Sequence, residues 1–253
     1  GNHGAGFGPL FAKENRKWWG TSRWWMQALL WVLMLNGLLA VVLFVLPTLT
    51  TPDGEAVMPE SPIVGGIQIF FGLGVMALAI AAPVLMQDEI IGERQTGTAD
   101  WILSKPVARS AFILSKAAAH ALSTTLLLVL IPALVAYGLF ALAEPGAVPP
   151  GPFVLATGLL LLHTLFYLSL ALLLGVLAPS RSWVLGISIG FFFAGQIITG
   201  FVPLLDAITP WTLGKVAAAL LLNTDVPGWI LLPALATAAW ILAFLFVAVW
   251  RFR

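Results

Sequence analysis

Charge is what this sequence has least of. Asp, Glu, Lys and Arg together make up 9% of its 253 residues, against about a quarter in a soluble domain. Hydrophobic residues reach 60% and the mean hydropathy is +1.00. A soluble fold is excluded on these grounds, and a membrane domain of several spans is expected. Cysteine is absent, which excludes a disulfide framework and any thiolate metal site. The three histidines, His3, His120 and His163, stand far apart in sequence, so a metal site is not supported. A net charge of +1 offers no electrostatic case for nucleic acid. No glycine-rich phosphate loop is present. Gly214-Lys215 is followed by Val216 where Ser or Thr is required, and the earlier Gly is missing.

What is there instead is long apolar runs. A bilayer core needs about 20 apolar residues in helix. Six stretches qualify, at 24–46, 63–86, 111–142, 153–177, 183–205 and 229–250. They are continuous and do not alternate, so they predict helices rather than barrel strands. The first run is too long for a secretory signal core and is read as a span. The fold class expected is an all-α membrane protein of six transmembrane helices. Residues 1–9, GNHGAGFGP, are expected to form a flexible N-terminus. Residues 10–253 are expected to form a single domain.

Lys and Arg set the orientation. With six spans, Lys13, Arg16, Lys17, Arg23, Arg94, Lys105, Arg109, Lys116, Arg181, Arg251 and Arg253 fall on one side, and Lys215 on the other. Both termini are therefore expected in the cytoplasm. The opposite side is acidic, with Asp53, Glu55, Glu60, Glu144, Asp206 and Asp225. Trp24, Trp25, Trp183, Trp229 and Trp250 sit at span ends as interfacial anchors.

Two segments are too short to cross. Residues 10–22 mix Leu10, Phe11, Trp18 and Trp19 with Lys13, Arg16 and Lys17, which suits a helix lying in the membrane interface. Glu14 breaks its apolar stripe. On the acidic side, 206–228 contains the apolar run Pro210 to Leu222, expected to be re-entrant or interfacial. Polar residues inside spans, Asn36, Gln68, His120, His163 and Gln196, are costly in lipid. They are expected to face other helices or a cavity, and are candidates for a translocation path. Lys116 is expected to snorkel to the headgroups. Pro83, Pro132 and Pro233 are expected to kink their helices.

"GISIG", Gly186 to Gly190, fits the G-x-S-x-G pattern of a hydrolase nucleophile elbow. Six spans with a Ser and a His are also similar to rhomboid-type intramembrane serine proteases. An elbow needs a strand, a turn and a helix, whereas Ser188 lies in a continuous apolar run. Both His120 and His163 precede it. Gly186, Gly190 and Ala194 are better read as a small-residue stripe for close helix packing.

One polar island interrupts the chain, residues 87–116, "QDEIIGERQTGTADWILSKPVARSAFILSK". Asp88, Glu89 and Glu93 are expected to continue the second span as helix beyond the membrane. Gly97 is suited to ending it. Thr98 suits the cap of a short new helix, with Asp100 in its first turn. Trp101, Ile102 and Leu103 would form an exposed apolar knuckle, which suggests a protein partner. Pro106 stops that helix, and Ser110 is placed to cap the third span.

This island is similar to the loop of permease subunits of type-2 ABC exporters. The shared positions are Glu93-Arg94, Gly97-Thr98, Trp101-Ile102-Leu103, Ser104, Pro106-Val107, Arg109 and Lys116. Ala99 and Trp101 stand where that family usually has Leu. The resemblance implies that 87–110 is a coupling loop, from Glu93 through Asp100 and Leu103 to Arg109, docking on a separate ATPase subunit. The interfacial helix, with Phe11, Lys13, Arg16, Lys17 and Trp18, would lie beside it. It also implies a second permease copy or homologue, no cofactor on this chain, and ATP with Mg on the partner. The chain would be a multi-pass, non-catalytic exporter subunit in a prokaryotic inner membrane. Alternatives are a force-transmitting or assembly-assisting subunit that moves no solute and, more remotely, the intramembrane protease.

Overall fold

The computed structural model describes residues 6–50, 61–98, 102, 104, 107–222 and 231–252. Nine helices are present among them. A short α1 (Phe7–Trp19) is followed by α2 (Arg23–Thr48), α3 (Pro62–Gln95), α4 (Arg109–Ala143), α5 (Pro150–Leu177) and α6 (Arg181–Ile198). Then come α7 (Pro203–Ile208), α8 (Pro210–Leu222) and α9 (Leu231–Arg251). Six of them, α2 to α6 and α9, are long and apolar enough to cross a membrane. Both described chain ends lie at the end of the bundle that carries the Lys and Arg residues, here the basic end.

Proline shapes these helices in ways that follow from its missing N–H and its clash with the carbonyl four residues back. In α2 a π-helical segment, Val41–Val45, and a 3₁₀ turn, Leu46–Thr48, close the helix around Pro47. In α4 the π-helical segment Thr125–Leu130 lies just ahead of Pro132. The wider turn there moves the carbonyls away from the ring. Pro62 and Pro150 occupy first-turn positions, where no N–H is needed. Pro233 lies in the first described turn of α9. Pro83 is inside α3.

The second span continues as helix beyond Met86 through Asp88, Glu89 and Glu93 to Gln95, as expected. Thr96 donates its N–H to Gly92 O at 3.0 Å, and Gly97 its own to Arg94 O at 3.3 Å. Gly97 has φ +69°, the left-handed conformation that ends helices and that glycine adopts at least cost. The third span starts at Arg109 with extended Ala108 in the cap position. Ser110 is therefore inside the first turn, not the cap expected of it. The fifth span stops at Ile198, seven residues short of the expected Leu205.

The core is built round α5, whose apolar stretch is 72% buried, against 22% for α6 and 17% for α9. Toward the acidic end Leu35, Leu39, Phe70, Phe71, Phe140, Phe153 and Leu160 form one cluster. Toward the basic end Met86, Ile90, Phe112, Phe166, Tyr167 and Leu172 form another. Several hydroxyls inside the spans bond back to their own helices. Thr164 Oγ1 donates to Leu160 O at 2.7 Å, and Ser123 Oγ to Ala119 O at 2.7 Å.

The segment at the acidic end is not a simple loop. Pro210, Trp211, Leu213, Gly214, Ala217 and Leu221 are buried. A Cβ on Gly214 would lie 2.6 Å from Val75 Cγ1, and Val75 is thirteen residues inside α3, roughly 20 Å along its axis. So α8 is packed into the bundle, where irregular backbone is tolerated because protein rather than lipid surrounds it. Asp206 and Trp240 hold the neighbouring turn: Asp206 O accepts from Thr212 Oγ1 at 2.9 Å, and Trp240 Nε1 donates to Ile208 O at 3.0 Å.

Candidate functional site: a buried charge network at the basic end

Three helices converge at the basic end, and each brings its charges on one face. On α1, Lys13, Glu14 and Lys17 lie within one turn. On α3, Glu89 and Glu93 are four residues apart, as are Lys116 and His120 on α4. Such spacings place side chains one above the other on a helix.

Lys116 is at the centre. Its Nζ lies 3.0 Å from Glu14 Oε1, 3.1 Å from Glu93 Oε1 and 3.5 Å from Glu89 Oε2, and its side chain is 1% exposed. Lys17 Nζ lies 2.6 Å from Glu14 Oε2 and 3.1 Å from Glu89 Oε2. Lys13 Nζ reaches Glu93 Oε1 at 3.2 Å. His120 Nε2 is 3.3 Å from Glu89 Oε1, and its ring meets Trp18 edge-on at 5.5 Å. Three carboxylates thus face three ammonium groups. Lys116 Nζ also stands 5.1 Å from the Phe112 ring, and Phe112 stacks on Phe252 at 5.1 Å.

The outward snorkelling expected of Lys116 does not occur. The side chain turns inward, because Glu14, Glu89 and Glu93 offer it partners that headgroups would have to match. Glu14 does not merely break the apolar stripe of α1; at 2% exposure it is the residue α1 inserts into the bundle. His120 belongs to this network. Glu14 and Glu89 do not stand out in the sequence as site residues, although the i, i+4 pairs Glu89/Glu93 and Lys116/His120 are a visible signal.

Burial alone would raise the Glu14 carboxyl, but Lys116 and Lys17 beside it outweigh this and hold it below the usual glutamate value of 4.5. Burial alone would lower Lys17, but Glu89 and Glu14 outweigh it and raise the ammonium above its usual value of 10.5. The signs fix a pH window. The Glu14 contribution is complete above about pH 4.5 and is lost as pH falls through its depressed value. The Lys17 contribution is complete below about pH 10.5 and is lost as pH rises through its elevated value. Thermal unfolding of the detergent-solubilised protein should therefore show a loss of stability below about pH 4.5. Glu14→Gln should flatten that acid limb; an unchanged limb in the variant would show that Glu14 does not carry it.

The loop that follows α3 is tied to the same place. Arg94 Nη1 donates to Val176 O at 3.2 Å, and Arg181 pairs with Asp88, fixing the start of α6 to α3. Thr98 Oγ1 and Thr96 Oγ1 are 2.9 Å apart. Ile102 is 5% exposed and belongs to the buried cluster that includes Leu10, Phe112 and Ile113. The expected knuckle is thus not uniformly exposed: Ile102 is buried in that cluster. Val107 is half-buried and packs on Gly6. Ser104 and Arg109 are exposed. Asp100, Trp101, Leu103 and Pro106 lie outside the described residues. On α1, Phe11 stacks on Phe7 at 5.8 Å, Trp18 is buried and Arg16 is exposed.

The other polar residues are not brought together. Asn36 is 3% exposed, and neither amide atom has a partner. Gln68 and Gln196 do not face neighbouring helices but are exposed. They lie six residues from the start of α3 and two from the end of α6, within about 9 Å of helix ends, where an amide reaches the interface. His163 is buried between Tyr167 at 5.0 Å and Phe192 at 6.3 Å. Ser188 Oγ and His163 Nδ1 both lack a hydrogen-bond partner, and Ser188 sits in mid-helix. No elbow and no Ser–His pair exist among the described residues, so the protease alternative has no catalytic geometry here. Gly186 and Gly190 are exposed, and a Cβ on either would meet nothing within 4 Å. Ala194, the third residue of that stripe, is half-buried.

Among the described residues no three His, Asp or Glu side chains are placed to hold a metal ion, and the space between the carboxylates is filled by lysine. No curated protein matches the chain. A family model does: that of ABC-2 family transporter proteins, over residues 12–253. The match begins in α1 and takes in all six spans and every residue of the charge network. The chain belongs to the ABC-2 transporter family, as a multi-pass membrane permease.

Proposed function

We propose that this permease is the membrane subunit of an ATP-driven exporter, working with a separate ATPase that carries ATP and Mg. The loop from Thr96 to Ala108 is its docking element, and the basic end faces the cytoplasm of a prokaryotic cell. A second copy or a homologue completes the membrane part, and substrate leaves toward the acidic end. The observation that carries this reading is the Lys116 network. The loop leaves α3 after Glu89 and Glu93 and enters α4 seven residues before Lys116; Glu14 ties α1 to α4 through Lys116, and Lys13 and Lys17 tie it to α3 through Glu93 and Glu89. A displacement of the loop or of α1 therefore moves α1, α3 and α4 as one body, which is what transmission of a stroke into the spans requires. Interior ion pairs suit this, because they hold a register and break only at high cost.

The test is association with the ATPase subunit that co-purifies with the full chain. Trp101→Ala combined with Leu103→Glu should lower its recovery on the order of tenfold and abolish ATPase stimulation by the permease, since central aromatic anchors dominate such interfaces. Undiminished recovery with that double variant, or no ATPase retained by the wild-type chain, sinks the proposal.

A further inference from the structure

Two apolar grooves indent the sides of the bundle. One, of about 320 Å³, lies in the acidic half between α4 and α5, beside Leu134, Tyr137 and Phe153. The other, of about 370 Å³, lies in the basic half. Its walls are Leu114 and Ala118 of α4, Leu168 of α5, and Ile241 and Leu245 of α9, with Phe7 of α1 at one end. A polar solute finds nothing to bond in this second groove. Its one hydroxyl, on Ser169, donates at 2.9 Å to Phe166 O of its own helix.

The basic-end groove differs from the other in the charge of the helix ends beyond it. Arg109 opens α4 five residues before Leu114, and Arg251 closes α9 six residues after Leu245. At about 1.5 Å per residue these are roughly 8 Å and 9 Å along the axes. The stacked pair Phe112–Phe252, at 5.1 Å, draws those two helix ends together. Both arginines are exposed, and among the described residues neither has an ion-pair partner. At the acidic end the residue that closes α4 is Glu144, exposed and of the opposite sign.

We propose that the basic-end groove holds an acyl chain of an anionic phospholipid whose phosphate is gripped by Arg109 and Arg251. The apolar walls replace lipid contacts for the chain. The two guanidiniums supply the paired donors that suit a phosphate, at the depth where headgroups lie. Basic residues between helix ends are the recognised way to hold such a headgroup, each contributing a factor of about five in affinity. A lipid so held would bridge α1, α4 and α9, the last of which is the least buried span. This site rests on the membrane setting alone and does not depend on coupling to an ATPase.

Native mass spectrometry of the purified full chain, equilibrated with equimolar phosphatidylglycerol and phosphatidylcholine of identical chains, tests it. Phosphatidylglycerol should be retained about 25-fold over phosphatidylcholine, at about five per arginine. Arg109→Gln with Arg251→Gln, both at exposed positions, should bring the two lipids level. Ala118→Phe should lower both, by filling the groove. Gly158→Phe, in the other groove, should change neither; a Cβ there meets nothing within 4 Å. Equal retention by the wild type overturns the proposal, as does a preference that survives loss of both arginines. Displacement of phosphatidylglycerol by glycerol 3-phosphate would reveal a headgroup-only anion site and would overturn the acyl-chain assignment.

Discussion

Replacing Lys116 with Met should destabilise the protein by about 3–5 kcal/mol, the usual cost of stranding buried charges. The substitution keeps most of the volume, so the loss is electrostatic. It leaves Glu14, Glu89 and Glu93 to share Lys17 and Lys13, which are partly exposed, with side-chain accessibilities of 34% and 41%. Glu14→Leu alone leaves Lys116 with only Glu93 and Glu89. The combined variant Lys116→Met, Glu14→Leu restores the balance of two carboxylates against two ammonium groups. It should therefore lose less stability than Lys116→Met alone, with a coupling of about 0.5–3 kcal/mol in the double-mutant cycle. Urea or thermal unfolding in detergent measures this. Additive losses would show that Lys116 and Glu14 do not act on one another. Where the network transmits motion, the combined variant should recover stability without recovering ATPase stimulation, because the Lys116 pairs that tie α4 to α1 and α3 are gone while the α1–α3 pairs remain.

The second large effect is expected far from any charge. Gly195→Leu should cost about 3 kcal/mol, the upper end of what overpacking ordinarily exacts. A Cβ on Gly195 would already overlap the Trp211 indole, and Trp211 is 8% exposed and packed on Phe191 at 4.8 Å. The indole has no room to retreat without dragging α7 and α8, because Pro210 and Leu213 on either side of it are buried. Trp211→Ala combined with Gly195→Leu should recover part of the loss, as the leucine fills the space the indole leaves. If Gly195→Leu unfolds at the wild-type temperature, the tight seat of Trp211 is wrong. Alanine at Gly190, one turn and a residue away, meets open space and should change stability by less than about 0.5 kcal/mol.

Several parts of this architecture are legible in the sequence. The six spans, the short α1, the apolar α8 and the halt of α3 at Gly97 all come from local features: run length, proline, a glycine suited to positive φ. The family is legible too, from residues 93–116, and the match over 12–253 agrees. The departures share one cause. For Lys116, Gln68, Gln196 and Ile102 the sequence suggests an orientation from each residue's own chemistry and depth. Orientation depends on what the neighbouring helix offers, and that is not local.

The sequence by itself determined how many helices cross, roughly where each one ends, and which end of the bundle is basic. Bilayer thickness and backbone hydrogen bonding act on consecutive residues, so a linear string suffices to express them. Only the tertiary structure decided that Lys116 meets Glu14 across 102 residues, and that Lys17 meets Glu89 across 72. Isolated charges at a span end read as anchors for lipid headgroups. They become a lock only when three helices bring opposite charges within about 3 Å of one another, because a buried charge takes the partner that packing supplies.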